Sequence, residues 1–290
     1  MNRRQFLKTS LAGTAGAISL SAFPHHLFAA EKAKEASDLV TLGATGLQVS
    51  RLALGTGTGG SGGHSSQTRN FGIKGMADYF HHAYDQGVTF WDSADQYGSH
   101  PHLKEALGRV PREKVTVLTK THATTEAEMR ADLDRFRREL NTDYIDILLL
   151  HCMTDPDWPE RKKAAMDVIS EARERGIVRT HGVSCHSLEA LRPAAHTDWV
   201  QVDLARINPT GAQMDADPAT VLAVLRDMKA KGKGIIGMKI LGAGALKNRA
   251  DECFQYALGL DCVDCFTLGM ESVDQFRTTL RQIPAASTRA

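Results

Sequence analysis

The sequence has little net charge of either sign. Its 35 lysines and arginines nearly cancel its 34 aspartates and glutamates, which leaves a formal net charge of +1. Nucleic-acid-binding domains typically carry a clustered excess of basic residues, so this balance argues against a nucleic-acid partner. The content of 42% hydrophobic and 24% charged residues is ordinary for a globular protein, and it excludes a chain that is disordered throughout.

Long hydrophobic runs are also missing from the sequence. A helix that spans a membrane needs about 20 consecutive apolar residues, and the weakly apolar stretch at residues 9–23 is shorter than that. We therefore expect no stable membrane span in the mature form of the protein.

The cysteines are odd in number, which excludes a disulfide framework that includes all of them. Cys262 and Cys265 have the two-residue gap of redox and metal sites, but no second pair with ligand spacing accompanies them. Cys265 lies in an apolar run and is interpreted as a small core residue. A free thiol is expected among Cys152, Cys185, Cys253, Cys262 and Cys265.

The amino terminus has the layout of a secretory leader. Residues 2–8 form a twin-arginine pattern, residues 9–23 are rich in Ala, Gly and Ser, and small residues follow at positions 29 and 30. We predict cleavage after Ala29, recognition by the twin-arginine translocation machinery and export to the periplasm. An amphipathic arm or a retained anchor is the alternative interpretation.

The rest of the chain is expected to form one domain. We assign residues 1–29 to a cleaved signal peptide, 30–37 to a linker, 38–283 to a folded barrel and 284–290 to a flexible tail. Within 38–283 the composition nowhere becomes linker-like, and the single low-complexity segment is a glycine-rich loop at 55–63.

Apolar runs of strand length alternate with stretches of helical spacing, which is typical of parallel βαβ units. Helical spacing is clearest at 126–140, 161–175 and 218–231. Because a (β/α)₈ barrel needs eight such units and about 250 residues, we predict this α/β fold, a TIM barrel, with a short β-hairpin at 40–49 that plugs its lower end. The predicted strands are 51–54, 89–91, 115–119, 144–150, 178–183, 199–205, 235–240 and 263–268.

A doubly wound open sheet is the competing architecture. It would carry a GxGxxG fingerprint between its first strand and a helix. The glycine run at 55–63 contains that spacing, but we expect it to continue into polar loop sequence instead of a helix. The barrel is therefore favoured.

Four reactive side chains follow or end successive predicted strands. Asp92 ends the second strand, Tyr97 lies in the loop after it, and Lys120 and His151 end the third and fourth strands. Active sites of (β/α)₈ barrels lie at the carboxyl ends of the strands, so we expect these side chains to meet. Each alone is explained by capping, packing or solvation, but the set on neighbouring strands favours a catalytic site.

Carbonyl reduction needs this combination of groups. Hydride that arrives at a carbonyl carbon leaves negative charge on the oxygen, which must be stabilised and protonated. A lysine ammonium lowers the pKa of a nearby tyrosine, so we predict Tyr97 as the acid and Lys120 as the residue that tunes it. Asp92 would hold Lys120, and His151 would orient the substrate oxygen. The hydride must come from a cofactor, because no side chain supplies one.

A zinc site is a poorer explanation of the same residues. The second histidine or carboxylate that would complete it has no obvious position in the sequence.

The sequence resembles the aldo-keto reductase family over about residues 38–282. The similar motifs are DSADQYG at 92–98, TK at 119–120, DILLLH at 146–151, GVS at 182–184 and VQ at 200–201. The resemblance implies an oxidoreductase that transfers hydride between NADP(H) or NAD(H) and a small-molecule carbonyl or alcohol. It also implies that the four residues above form a catalytic tetrad and that the nicotinamide lies across the barrel mouth.

The resemblance further implies which residues hold the cofactor. Ser184 and Gln201 would bind the carboxamide, Lys239 would reach a phosphate, and the start of the last helix would meet the phosphates and adenosine, since helix N-termini bind phosphate. The full set is Gly55, Thr56, Gly57, Ser184, Gln201, Lys239, Leu241, Gly242, Gly244, Ser272 and Gln275.

Some positions depart from the family's pattern. Cys185 stands where asparagine is usual, and Met238 stands where many members place an aromatic ring. Glu271 and Asp274 would repel a 2′-phosphate, so the choice between the two cofactors stays open. A cofactor-free or non-catalytic ligand-binding barrel is the alternative function.

Overall fold

The computed structural model describes residues 33–288 and shows a closed barrel of parallel strands. The strands are β1 Leu39–Thr41, β2 Gln48–Ser50, β3 Leu52–Gly55, β4 Phe90–Asp92, β5 Thr116–Thr121, β6 Ile145–Met153, β7 Val178–Cys185, β8 Val202–Arg206, β9 Gly234–Met238 and β10 Cys265–Leu268. β3 to β10 pair in chain order, and β10 closes the barrel against β3. The predicted (β/α)₈ fold is therefore confirmed.

β1 and β2 form the short hairpin that was predicted. They pair antiparallel, with Val40 opposite Val49. Leu42 and Leu47 from the hairpin are buried in the same apolar cluster as the barrel interior. The hairpin therefore covers the amino-terminal end of the barrel.

Helices follow the barrel strands and surround the sheet. They are α1 Ser66–Asp85, α2 His100–Leu107, α3 Glu126–Leu140, α4 Trp158–Arg161, α5 Lys163–Glu174, α6 Leu188–His196, α7 Pro218–Ala230, α8 Ala250–Gly259 and α9 Val273–Ser287. The predicted helix at 126–140 is α3, and the one at 161–175 corresponds to α5, which begins two residues later and is preceded by the short helix α4.

The glycine-rich loop leads into a helix, which corrects our expectation of continued loop sequence. Ser65 is the N-cap of α1: its Oγ accepts from the Thr68 backbone N–H at 3.2 Å, and the Thr68 hydroxyl oxygen accepts from the Ser65 N–H at 2.8 Å. This capping box has Thr68 at the position where Glu or Gln is usual, so the sequence signal for the helix start was weak.

Two apolar layers are separated by the sheet. The inner layer fills the barrel with side chains such as Phe90, Leu149 and Ile236, and it includes Cys265, as the sequence predicted. The outer layer packs the strands against the helices and includes Phe80, Trp91 and Phe136. Since successive side chains on a strand point to opposite faces, alternate residues enter each layer.

The stagger of the strands aligns their functional ends. Asp92 pairs with Leu118, two residues before Lys120, and Lys120 pairs with Leu149, two residues before His151. Tilted strands close a barrel only with such a shear between neighbours. The stagger brings the three polar residues to the same rim.

The ends of the described chain belong to the folded body. Ala36, in the predicted linker, is 2% exposed, and α9 continues to Ser287, four residues into the predicted tail. The predicted signal peptide at 1–29 lies outside the described residues. Within residues 33–288 no helix is both long and apolar enough to cross a membrane.

Candidate active site

The four residues of the predicted tetrad lie together at the carboxyl-terminal rim of the barrel. Asp92 is the last residue of β4, Lys120 is the fifth residue of β5, and His151 lies near the end of β6. Tyr97 ends a single 3-10 turn, Asp95–Tyr97, in the loop after β4.

Asp92 and Lys120 form a buried ion pair. Lys120 is 1% exposed and Asp92 is 6% exposed. The Lys120 ammonium contacts the Asp92 carboxylate and donates to the Ser93 carbonyl at 2.7 Å. The Thr267 hydroxyl donates to the second carboxylate oxygen at 2.8 Å. Burial acts to lower the pKa of Lys120, but the Asp92 carboxylate and Tyr97 outweigh it and raise the pKa overall, so the lysine is charged.

Tyr97 lies between the lysine and the histidine. Its hydroxyl is 3.4 Å from His151 Nε2, and its ring centroid is 5.0 Å from Lys120 Nζ. Burial raises the pKa of Tyr97 above its usual value of 10, and the charge of Lys120 only partly opposes this rise. Our expectation of a lowered pKa is therefore corrected: Lys120 acts in the predicted direction, but desolvation has the larger effect.

The glycine-rich loop at 55–63 packs on the ring of Tyr97. A Cβ atom added at Gly57 would lie 2.3 Å from Tyr97 Cε2, and one at Gly60 would lie 2.4 Å from Tyr97 Cδ1. These distances are far shorter than a van der Waals contact, so glycine is required at both positions. The loop holds the tyrosine ring in place, a role that sequence reasoning missed.

His151 is held by an irregularity in β6. Cys152 has φ of 61°, in the left-handed region, and the register with β7 shifts between Leu150 and Met153. The Cys152 N–H donates to the Ser184 hydroxyl oxygen at 2.9 Å. Strand bulges of this kind redirect neighbouring side chains next to active sites.

The His151 imidazole is neutral. It is 3% exposed, and burial, followed by the charge of Lys120, holds its pKa far below the usual value of 6.5. A neutral imidazole has one ring nitrogen that donates and one that accepts, so His151 can hydrogen-bond a carbonyl oxygen without transferring a proton to it.

Most predicted cofactor residues lie at the same rim. Ser184 is near the end of β7, Lys239 follows β9 directly, and Ser272 caps α9 by accepting from the Gln275 N–H at 3.2 Å. The turn Gly242–Gly244, preceded by Leu241, lies in the loop after β9, and Gly55 ends β3.

Thr56 has a structural role at this rim. It is fully buried, its hydroxyl donates to the Asp92 carbonyl at 2.9 Å, and that hydroxyl lies 2.9 Å from Ser99 Oγ. Its side chain therefore ties the first loop to the tetrad instead of facing a ligand.

Gln201 lies at the opposite end of the barrel, which corrects its assignment to the cofactor carboxamide. It precedes β8; its carbonyl accepts from the Gly234 N–H at 2.8 Å, at the start of β9, and its Oε1 accepts from the Thr180 hydroxyl at 2.8 Å. Because β7 and β8 are parallel, the residue beside Ser184 is Leu204, whose side chain forms no hydrogen bonds.

Three further side chains surround His151, and sequence reasoning did not assign them to the site. The ring centroid of His122 is 4.7 Å from that of His151, and the centroid of His186 is 6.4 Å away. A carboxylate oxygen of Asp95 lies within 4.8 Å of ligand nitrogens of His122 and His151. The expectation that no second histidine or carboxylate has a suitable position was therefore wrong. The sequence did contain a signal for His122: it lies two residues after Lys120, and therefore near the same end of the strand.

Comparison with known proteins gives a consistent assignment. Residues 51–261 match the model of the aldo/keto reductase family, and residues 1–18 match the twin-arginine translocation signal sequence. The chain is 31% identical over 166 residues to Aldo-keto reductase YhdN of Bacillus subtilis, covering 51% of this chain and 46% of that protein. It is 25% identical over 223 residues to L-galactose dehydrogenase of Arabidopsis thaliana, covering 72% of this chain and 67% of that protein.

Solved structures share the fold. An aldo-keto reductase structure from Pseudomonas aeruginosa superposes with a TM-score of 0.72 at 23% identity, over 88% of this chain and 98% of that one. In sequence, by contrast, the chain spans only about half the length of the Bacillus subtilis relative. The family match alone covers more than half of the sequence, and it includes every residue of the tetrad. The chain belongs to the aldo/keto reductase family.

Proposed function

We propose that this protein is an exported NAD(P)H-dependent reductase that converts a carbonyl to an alcohol, with Tyr97 as the general acid. The observation that carries the proposal is the placement of the Tyr97 hydroxyl, 3.4 Å from a neutral His151 and beside the ion pair of Lys120 with Asp92. A phenol in this position has a proton to give and a cation to stabilise the phenolate that remains.

The raised pKa of Tyr97 suits this role. A general acid must be protonated at working pH, and burial ensures this for the phenol. As negative charge forms on the substrate oxygen, the proton moves from Tyr97 to that oxygen. Lys120 then faces a phenolate, and their attraction is strong because both groups are buried. Asp92 keeps Lys120 charged and oriented before the proton moves.

The residues at the rim fit a nicotinamide dinucleotide. Lys239 is a partly buried cation directly after β9, and the Ser272 cap opens the 15-residue helix α9, whose N-terminal N–H groups suit a phosphate. The Ser184 hydroxyl is fully buried and accepts from the Cys152 N–H, so we propose that it would donate its own proton to the nicotinamide carboxamide. When bound, the dinucleotide supplies the hydride that no side chain can supply. We propose that Lys239, Ser184 and the start of α9 hold it.

The substrate is proposed to be a small aldehyde, ketone or sugar-like molecule, or the corresponding alcohol in the reverse reaction. One relative is named for its action on L-galactose, which supports testing sugars first. His151 would donate one hydrogen bond to the carbonyl oxygen and so orient the carbonyl toward the hydride, and in the reverse reaction it could accept one from the alcohol hydroxyl.

The twin-arginine signal at residues 1–18 supports export. We propose that the translocation machinery carries the folded protein to the periplasm, and that nucleotide is bound before export.

The decisive experiment is a carbonyl panel assayed with NADPH and with NADH, for the wild type and for Tyr97→Phe. The variant should lose at least about a hundredfold in kcat, because the proton donor is removed, while its cofactor Kd changes less than about threefold. Turnover by Tyr97→Phe at the wild-type rate would refute Tyr97 as the acid.

A cofactor-free ligand-binding barrel is the second candidate function. It is favoured by Leu204, an apolar residue beside Ser184 where a polar partner for the cofactor was expected. Titration with both nucleotides, followed by tryptophan fluorescence, separates the two candidates. Absence of quenching at millimolar concentrations of either nucleotide would support this second function.

A further inference from the structure

Asp95 and His122, two side chains that carbonyl reduction does not use, lie against His151. One metal-ligating atom from each of Asp95, His122 and His151 lies within 4.8 Å of such an atom in the other two. The rings of His122 and His151 have centroids 4.7 Å apart and are tilted by 30°. Two imidazoles on one metal ion, with metal–nitrogen bonds of about 2.1 Å, have centroids about 5 Å apart. The rings already have that spacing.

The chemistry of the three side chains is that of a metal site. Two imidazoles and one carboxylate, with further positions open, are the ligands of many catalytic zinc ions and of non-haem iron. His151 also has a spare nitrogen: its Nδ1 is buried and has no hydrogen-bond partner among the described residues. A buried polar atom without a partner is costly, so a ligand for this ring is favoured.

We propose that Asp95, His122 and His151 bind a divalent transition-metal ion, zinc in the first instance, and that the bound ion blocks carbonyl reduction. We expect inhibition because the ion would fix the His151 ring, whose Nε2 contacts Tyr97, in an orientation set by Asp95 and His122 instead of by the substrate oxygen. The inhibitory part of this inference rests on the proposed reductase function, whereas the binding part does not.

The site needs only a small rearrangement to form. Ligand atoms on a tetrahedral zinc ion are about 3.4 Å apart, so the cluster, whose ligand atoms lie within 4.8 Å of one another, must contract by at most about 1.4 Å. His122 is exposed at the end of β5, and Asp95 is in the short turn before Tyr97. Because the His122 side chain is exposed, we expect its rotation to bring a ring nitrogen toward the other two ligand atoms.

Nearby charges set the expected affinity. The charges of Lys120 and Arg206 are balanced by Asp92 and Asp215, and the negative charge of Asp95 is partly balanced by Arg135, which has a nitrogen 3.8 Å from the Asp95 carboxylate. Lys239 is a further cation whose field reaches His151. This repulsion weakens binding relative to structural zinc sites, so we expect a Kd in the micromolar range.

The test is a zinc titration of the full chain, expressed without a polyhistidine tag, in competition with a chromogenic zinc indicator. We expect one ion per chain, and visible absorption bands of a low-symmetry site when cobalt(II) replaces zinc. His122→Ala should weaken zinc binding at least tenfold, because even loss of an outer partner of a metal ligand costs about 10–100-fold. Asp95→Asn should weaken it in the same direction.

The matched control is His196→Ala. His196 is a histidine with 73% of its side chain exposed, near Asp227 on the outer surface, so its removal should leave the zinc Kd unchanged. Absence of stoichiometric binding at about 100 µM zinc, or equal affinity in the wild type and His122→Ala, would overturn the site.

The inhibition experiment separates this inference from the proposed function. Reductase activity measured after EDTA treatment should fall as zinc is added, with a midpoint at the measured Kd, and recover on renewed chelation. Zinc binding without any reductase activity would remove the proposed function and leave the metal site in place. Full activity in zinc-saturated protein would overturn the inhibitory role.

Discussion

At the scale of single residues, burial determines the chemistry of several ionisable groups in this protein. Tyr97 retains its proton and His151 stays neutral, in both cases chiefly because each group is desolvated. Lys120 is the exception, since the adjacent Asp92 carboxylate overcomes the effect of burial. The same principle applies to Asp203 on β8, which is fully buried and whose pKa is raised to about 8 by burial and by the Asp215 carboxylate.

Asp203 should make the protein less stable as pH rises. In the unfolded chain an aspartate ionises near pH 4, whereas in the folded chain Asp203 keeps its proton until about pH 8. The folded state therefore binds more protons over this interval, and its stability falls with pH by up to about 1.4 kcal/mol per pH unit from this residue. Asp203→Asn should flatten the slope of unfolding free energy between pH 6.5 and 8, measured by urea denaturation.

Comparison with Asp203→Asn isolates this residue from the buried histidines. Burial lowers the pKa values of His181 and His186 to about 4, so both make stability rise with pH until they are deprotonated in the unfolded chain, above their unfolded value near 6.5. This contribution is the same in the wild type and in the variant. Asp261→Asn at the exposed surface is the control, and its slope should match the wild type. Parallel stability curves for Asp203→Asn and the wild type would contradict the prediction.

At the scale of elements, loops decide how the active site is held. The first loop after β3 lies flat against the ring of Tyr97 and is tied to Asp92 through Thr56. The bulge at the end of β6 sets the direction of the His151 side chain, and the Cys152 N–H in the bulge donates to the Ser184 hydroxyl oxygen. The strands place the functional side chains at one rim, and these loops fix their orientation.

Gly57→Ala should displace the tyrosine ring, since the new methyl group would lie 2.3 Å from a ring carbon. We expect kcat to fall at least about tenfold, because small misplacements of catalytic groups are costly, with little change in cofactor Kd. Gly59→Ala is the matched control: it has φ of 58° and meets only the Ser66 hydroxyl at 4.0 Å. It should cost about 1 kcal/mol in stability and leave kcat near the wild-type value. Equal kcat in Gly57→Ala and the wild type would exclude the proposed support of Tyr97.

The start of α9 should influence the choice of nucleotide. Asp274, in the first turn, has 91% of its side chain exposed and lies 3.6 Å from an Arg277 nitrogen. Removing its charge in Asp274→Asn should favour the 2′-phosphate and free Arg277 to approach it. We expect a gain of a few fold in NADPH affinity, measured by fluorescence titration, with NADH as the internal control. An equal gain for both nucleotides would show that the charge does not act on the 2′-phosphate.

At the scale of the whole molecule, the chain combines a twin-arginine signal with a barrel of the aldo/keto reductase family. The signal match ends at residue 18, and the family match begins at residue 51. The barrel packs its own described amino-terminal segment, as shown by the buried Ala36 and by the Lys34 ammonium, which donates to the Leu258 carbonyl at 2.7 Å. Removal of the leader up to residue 29 would leave these contacts intact.

Export should depend on both arginines of the signal. In the full chain, replacement of Arg3 and Arg4 by lysine keeps the charge and removes the guanidinium groups, and we expect the protein to remain in the cytoplasm. Fractionation of cells followed by immunoblotting provides the measurement. A lysine variant found in the periplasm at the wild-type level would contradict the assigned route.

Local patterns in the sequence were sufficient to predict the barrel and the proximity of the four residues of the proposed tetrad. The period at which apolar residues recur in a strand or a helix is a local property of the sequence. The alternation of apolar runs with stretches of helical spacing therefore predicted the strands and α3 within a few residues. The tetrad followed because parallel strands all end at one rim, whatever the details of packing. The amino-terminal signal could be recognised in the same way, from the order of residue types alone.

The features of the site that depend on closure of the barrel could be seen only in the tertiary structure. Only the strand register shows that Gln201 lies at the far end and that Leu204 lies beside Ser184. Only packing shows that the glycine loop contacts Tyr97, because the ring and the loop are distant in sequence. The pKa of Tyr97 and the proximity of Asp95, His122 and His151 also depend on the tertiary structure. A side chain is desolvated, and side chains distant in sequence come close, only when strands far apart in the chain are brought together.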